Sequence, residues 1–268
     1  MNGISALFSK KKKNVFSVFF TAGFPLLNDT GKILHALHNY GADLIEIGMP
    51  YSDPLADGPV IQNSSMKALE NGMTIKILFE QLNYFRENKN ADKSETPLIL
   101  MGYLNPVLQY GVEKFCIDAK GAGISGIILP DLPMAEYESE YKEIFDQNDL
   151  SFIFLITPET SQERIKKIDD ISDGFIYAVS SSSITGRNTD MKAQQNYFER
   201  INKMGLKNKI LIGFGIKDHQ SFMQACQFAT GAIIGTAYIK TLENNSNIDI
   251  ATQDFVNSIL QGKQSVES

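Results

Sequence analysis

Cysteine is nearly missing from this sequence, with only Cys116 and Cys226 in 268 residues and no Cys-x-x-Cys pair. A disulfide-built scaffold is excluded, and two free buried thiols in a reducing compartment are expected. No apolar run approaches the roughly 18 residues that a membrane span needs, and residues 1–8 hold no apolar stretch of signal-peptide length. The cytoplasm is the expected location. Basic charge is also short: 25 Lys and Arg against 31 Asp and Glu leave a formal net charge of -6. This argues against nucleic acid as a partner, and the one basic run, Lys10, Lys11, Lys12 and Lys13, has no interleaved aromatics on which bases could stack. It reads as a solvated linker. No stretch rich in Gly, Pro or Ser divides the chain, so a second domain is not expected. A Gly-x-Gly-x-x-Gly turn after an early strand is absent as well, which counts against an open doubly wound sheet.

What is present is a regular alternation. Short apolar runs occur at 16–21, 44–48, 98–101, 126–129, 152–155, 175–179, 210–213 and 232–235, and segments of helical period separate them. Eight βα repeats in a chain close to the typical length of about 250 residues predict a single (β/α)8 TIM barrel. Residues 1–268 are expected to form that one domain, with 1–14 as an N-terminal helix and basic linker and 263–268 as a frayed tail. The longest gap, 59–97, is split by Gly72, which predicts an added helix after the second strand. Asp29 is placed to cap a helix carrying Ile33, Leu34 and Leu37, and Gly41 to stop it. Asp218 opens a similar segment that runs towards Gly231.

The sharpest chemical feature is Glu46 inside the run Leu44-Ile45-Glu46-Ile47-Gly48. Barrel strands alternate faces, so Ile45 and Ile47 should pack outward on helices while Leu44, Glu46 and Gly48 point inward. A carboxyl aimed into a barrel is costly unless it is paired or its pKa rises, and groups poised in that way serve as general acids and bases. A structural carboxylate paired with a buried cation meets the same pattern, and periodicity alone leaves both open. The segment that follows, Met49-Pro50-Tyr51-Ser52-Asp53-Pro54-Leu55-Ala56-Asp57-Gly58-Pro59, cannot continue a strand or a helix. It is a shaped loop on the catalytic face, and Asp53 and Asp57 in it are either catalytic or ordinary turn residues.

Near the C-terminus, Gly213-Phe214-Gly215-Ile216 follows the seventh run and Gly235-Thr236 the eighth. Paired glycine turns there suit a phosphate held by backbone N–H groups and a helix N-terminus. The polar stretch 180–189, with Thr185, Gly186 and Arg187, reads as a lid or as a passive surface loop. His35 and His38 have a spacing that could ligate a metal, but no third ligand is evident and no metal site is expected.

Taken together, these residues closely resemble the tryptophan synthase alpha subunit family over nearly the whole chain. The most specific match is the segment from Glu46-Ile47-Gly48 through Ser52-Asp53-Pro54-Leu55-Ala56-Asp57-Gly58-Pro59 to Val60-Ile61-Gln62. Thr21-Ala22-Gly23, Met101-Gly102-Tyr103-Leu104-Asn105-Pro106, Pro130-Asp131-Leu132-Pro133 and Gly213-Phe214-Gly215 support it. The resemblance implies a lyase that splits indole-3-glycerol phosphate into indole and glyceraldehyde 3-phosphate by a retro-aldol reaction. It implies no metal and no organic cofactor in this chain, pyridoxal phosphate being expected only in a beta subunit partner within an alpha2-beta2 heterotetramer.

Residue by residue, the resemblance implies Glu46 as acid and base and Asp57 as acceptor of the indole N–H. Phe19, Met101, Tyr177, Phe214 and Thr185 would contact the substrate, and Gly186, Gly215, Gly235 and Thr236 its phosphate. Pro50, Asp53, Pro54 and Asn105 would face the partner. Two departures stand out. Gly235-Thr236 replaces the family's common Gly-Ser, which keeps both the N–H and the hydroxyl. Ser183 precedes Ile184-Thr185-Gly186 where a glycine is usual, which bears on lid mobility because serine is less free to adopt positive φ. A sibling phosphate-binding barrel of the same pathway, or a catalytically idle activator of a beta subunit, are the competing readings.

Overall fold

The computed structural model describes residues 2–87, 96–180, 191–213 and 215–262. Its sheet is all parallel, with strands β1 (Val15–Thr21), β2 (Leu44–Gly48), β3 (Leu98–Met101), β4 (Ile124–Ile128), β5 (Ser151–Phe152), β6 (Phe154–Ile156), β7 (Phe175–Val179), β8 (Lys209–Gly213) and β9 (Gly231–Ile234). The spatial order is β5-β4-β3-β2-β1-β9-β8-β7-β6. The two ends of that order, β5 and β6, are halves of one strand parted at Ile153, whose N–H still donates to the Ile127 carbonyl at 3.0 Å. The sheet therefore returns on itself as the eight-position TIM barrel that the eight apolar runs predict.

Alternation along the strands divides the core in two. Val15, Phe19, Leu44, Ile99, Tyr177 and Leu211 belong to one buried cluster inside the barrel. Phe16, Val18, Phe20, Ile45, Ile47 and Leu100 belong to another, shared with the surrounding helices. A parallel sheet covered on both faces requires this double burial. The predicted parity of β2 follows from it, with Leu44 inside and Ile45 and Ile47 outside.

The helix Gly3–Lys10 closes the amino end of the barrel. Ile4 and Phe8 are buried in the inner cluster, and the Phe8 and Phe175 rings meet edge to face at 6.1 Å. Burying two such side chains stabilises the closure by about 1.5–3 kcal/mol each. Asn2 secures the start: its carbonyl oxygen accepts the Ile4 N–H at 2.9 Å, and its amide donates to the Ser125 and Asp149 carbonyls at 2.7 and 2.9 Å. The basic run after this helix is more than a solvated linker. Lys11 pairs with Asp43, which also accepts the Phe16 N–H at 2.8 Å, and Lys12 donates to the Phe8 carbonyl at 2.8 Å. These contacts tie the plug to the start of β1.

The gap after β2 holds two helices, Pro59–Glu70 and Ile75–Glu87, with Gly72 at φ +92° between them, as the sequence predicts. Gly41, at φ +101°, ends the helix Thr30–Tyr40 in the expected way. Asp29 does not cap that helix. It already lies in a short turn, Leu27–Asp29, so its carboxylate points back to the Leu26 N–H at 3.2 Å and to Lys32 at 2.8 Å. Asp218 does cap its helix, accepting the Ser221 N–H at 2.8 Å. That helix stops at Phe228, and Gly231 begins β9 instead of ending a helix. A Cβ on Gly231 would sit 2.0 Å from the Val15 carbonyl oxygen, so only glycine lets β9 approach β1 at this point. The tail 263–268 lies outside the described residues.

Candidate active site

β2 runs between β1 and β3, with Phe19 and Ile99 as the register partners of Glu46. Glu46 is wholly buried. Its Oε1 accepts a hydrogen bond from the Ser17 hydroxyl at 3.1 Å, while Oε2 has no hydrogen-bond partner among the described residues. Burial pushes the carboxyl up to about 8, and the Ser17 bond offsets that only in part. Glu46 therefore holds its proton near neutral pH. Among the described residues no ion pair involves it.

Tyr177 enters the same interior from β7. Burial first, then the charges of Glu46 and Asp57, hold its phenol well above the usual tyrosine range, so it stays a neutral donor. Gly213 in β8 makes room for it: a Cβ there would fall 2.1 Å from the Tyr177 hydroxyl oxygen. Phe19 and Met101 belong to the inner cluster too. The Phe19 ring lies against Gly48, where a Cβ would meet it at 2.5 Å, and near Gly235 at 3.3 Å.

The loop after β2 brings Asp57 over this interior. The Tyr103 hydroxyl donates to Asp57 Oδ2 at 2.9 Å and accepts the Ala56 N–H at 3.0 Å, and Gln62 donates to the Asp57 carbonyl at 2.8 Å. Burial raises Asp57 to about 6, against the lowering effect of the Tyr103 bond. Near neutral pH, then, Glu46 is largely the acid and Asp57 largely the anion. Two carboxyls whose environments separate their pKa values in this manner divide acid and electrostatic roles.

Gly215, exposed and at φ +78°, follows β8, and Gly235-Thr236 starts the helix Thr236–Glu243 directly after β9. These two turns are neighbours because β8 and β9 are paired. The helix start supplies free N–H groups to an anion. Phe214, Thr185 and Gly186, and the lid reading for 180–189 apart from Ser180, lie outside the described residues. On the rim, Asp53 and Asn105 are exposed and Pro50 is half-buried, whereas Pro54 is buried and shapes the loop from within. Beside it Leu55 is 92 % exposed. His38 hydrogen-bonds Thr96 through Nδ1 at 2.8 Å, and among the described residues no three His, Cys, Asp or Glu side chains gather as a metal site would require. Both cysteines are free; Cys116 is buried and Cys226 half-buried, and burial raises both thiols.

Ser17, Tyr103 and Leu55 were not legible as site residues. Ser17 carried a signal, being a polar residue of inward parity in an apolar run. Tyr103 stands in a family motif with no role attached, since its partner Asp57 is 46 residues away and only the fold brings them together.

A TIM barrel with a buried protonated carboxyl, a second carboxylate and paired glycine turns at the carboxyl ends of its strands defines an acid–base enzyme acting on a small anionic metabolite. The model of the family "Tryptophan synthase alpha chain" matches residues 6–266, and the chain belongs to that family. The alpha chain of Flavobacterium psychrophilum is 53% identical over 246 residues, covering 91% of this chain and 95% of that one. That of Flavobacterium johnsoniae is 52% identical over 260 residues, covering 97% and 100%. Among solved structures, the Legionella pneumophila alpha chain superposes with a TM-score of 0.87 at 32% identity, covering 100% of this chain and 99% of the other. A chain of the Pyrococcus furiosus tryptophan synthase complex superposes with a TM-score of 0.83 at 32% identity, covering 94% and 99%. The protein is a carbon–carbon lyase of tryptophan biosynthesis that cleaves indole-3-glycerol phosphate. Among the described residues, no helix is long and apolar enough to cross a membrane.

Proposed function

We propose that Glu46 carries the protons of the cleavage. The observation behind this reading is a wholly buried carboxyl with one oxygen that has no hydrogen-bond partner among the described residues. As the acid, Glu46 protonates indole C3, and the ring nitrogen takes up the positive charge. Asp57 accepts the indole N–H and stabilises that charge through its own negative one. The bond between C3 and the glycerol chain then breaks: the Glu46 carboxylate removes the proton of the adjacent hydroxyl, the aldehyde forms, and the bonding electrons restore the aromatic ring. Glu46 ends protonated, as it began. Tyr177 donates to the glycerol hydroxyls, Phe19, Met101 and Phe214 wall the indole, and Thr185 completes the substrate contacts. The protonated ring is the electron sink, so the reaction calls for neither metal nor organic cofactor. Incubating the purified chain with indole-3-glycerol phosphate tests the reaction directly. Indole and glyceraldehyde 3-phosphate released in equal amounts support it, and a different product overturns it.

In this reading the phosphate is held by the backbone at Gly186, Gly215, Gly235 and Thr236. Gly215→Val is expected to weaken glycerol 3-phosphate binding by at least about tenfold, because φ +78° disfavours a branched residue and its side chain would stand where the phosphate approaches the N–H. Calorimetric titration measures this, and unchanged affinity would remove Gly215 from the site.

The enzyme works in the cytoplasm with a tryptophan synthase beta subunit, as an alpha2-beta2 heterotetramer in which the beta subunit alone holds pyridoxal phosphate. Support comes from the family and from the complex of Pyrococcus furiosus among the structural neighbours. The docking face is the rim of Pro50, Asp53 and Asn105, with Pro54 buried beneath it to shape the loop, and the exposed Leu55 offers an apolar anchor there. Because the same loop carries Asp57, a partner that orders it raises the competent population, and a coupling of about 1–3 kcal/mol means roughly 5- to 150-fold activation. Asp53→Ala is expected to lower the stimulation of indole release by beta subunit more than it lowers the unassisted rate. Equal stimulation of variant and wild type would take Asp53 out of the interface.

A further inference from the structure

β1 turns Val15, Ser17 and Phe19 to the barrel interior. Val15 and Phe19 belong to the inner apolar cluster, and Ser17 is wholly buried between them. A hydroxyl at such a place is costly unless it is hydrogen-bonded, and the Ser17 Oγ bond runs to Glu46 Oε1 at 3.1 Å. In the β1–β2 register Glu46 pairs with Phe19 and Ser17 with Leu44, so the carboxyl reaches back along β2 by one inward layer to meet the hydroxyl. Oε1 is thereby occupied, and Oε2 has no partner among the described residues.

We propose that Ser17 is a positioning residue for the proton transfer: it fixes Oε1, orients the carboxyl plane and leaves Oε2 as the oxygen that exchanges the proton with the substrate. The inference rests on the reading of Glu46 as the proton carrier. One geometry then serves both protonation states. With the proton on Oε2, Oε1 is a carbonyl oxygen that accepts the Ser17 hydroxyl. Once Oε2 has given its proton to carbon, Oε1 still accepts the same bond, now to a carboxylate, which strengthens it. No reorientation of the acid is needed before it acts as the base. Of the other ionisable groups, the Tyr177 phenol, held neutral by burial, feels the charge of this carboxyl and that of Asp57. Neither touches Oε1 or Oε2 in a hydrogen bond.

The test compares Ser17→Ala and Ser17→Thr with the wild type in indole release across pH, with Glu46→Gln assayed alongside. Ser17→Ala removes volume and adds none, so folding is expected to survive. Its kcat should fall at least about fivefold, the worth of one ordinary hydrogen bond, with KM little changed. The alkaline limb of kcat/KM should move to higher pH, because the bond that favours the ionised carboxyl is gone. Ser17→Thr keeps the hydroxyl and should return the limb to the wild-type position. A Ser17→Ala enzyme with kcat within twofold of wild type, or faster, overturns the proposal. So does a slower one with an unmoved limb, which marks a merely structural role, or a limb that moves equally in Ser17→Thr. An active Glu46→Gln enzyme would instead overturn the reading of Glu46 itself, a result that is separate from all of these.

Discussion

Replacing Glu46 by glutamine is expected to lower kcat for indole release by at least about 10²- to 10⁴-fold, the range that general acid–base catalysis contributes. The amide has the size of the carboxyl and still accepts the Ser17 hydroxyl, so β1, β2 and the inner cluster should keep their packing. What it cannot do is give a proton to carbon and take one from oxygen. Glycerol 3-phosphate should bind the variant as it binds the wild type, since the phosphate turns after β8 and β9 are untouched. A variant keeping more than a tenth of the wild-type turnover would show that Glu46 is not the proton carrier.

Asp57→Asn is expected to cost about 10²- to 10³-fold in kcat/KM, the usual consequence of removing one electrostatic group aimed at developing charge. The asparagine carbonyl still accepts the Tyr103 hydroxyl, and the backbone bond from Gln62 does not depend on the side chain. The loop should therefore keep its shape while losing the negative charge that faces the protonated indole. Glycerol 3-phosphate has no indole, and its affinity should hardly change. Retention of more than a third of wild-type kcat/KM would mean that the charge on Asp57 is not needed.

Much of this arrangement was legible because a barrel imposes strict parity. Once Ile45 and Ile47 must face helices, Glu46 has only the interior left, and its burial and raised pKa follow. The glycine turns were legible for a similar reason, as they end strands that the apolar runs already delimit. Local signals failed where a contact is long-range or the backbone has a choice. Asp29 looked like a cap, but a turn placed just before the helix redirected its carboxylate. Lys11 looked solvated until the plug helix brought it beside Asp43. The break between β5 and β6 falls inside an uninterrupted apolar run, and neither the run nor the packing around Ile153 explains it. Tyr103 reaches Asp57 only after the third strand and the loop after the second lie side by side.

The central claim is that one buried carboxyl, protonated at neutral pH, starts the cleavage. The pH dependence of kcat/KM for the isolated chain tests it most directly, because this ratio reports the ionisations of the free enzyme. Asp57 must be ionised and Glu46 protonated, so activity should rise through about 6 and fall above about 8. The substrate phosphate also titrates near about 6, which makes the alkaline limb the diagnostic one. The account predicts a one-proton fall centred near 8. A profile that stays flat or climbs steadily from about pH 7 to about pH 9.5 would contradict it, since free Glu46 would then act from its ionised form.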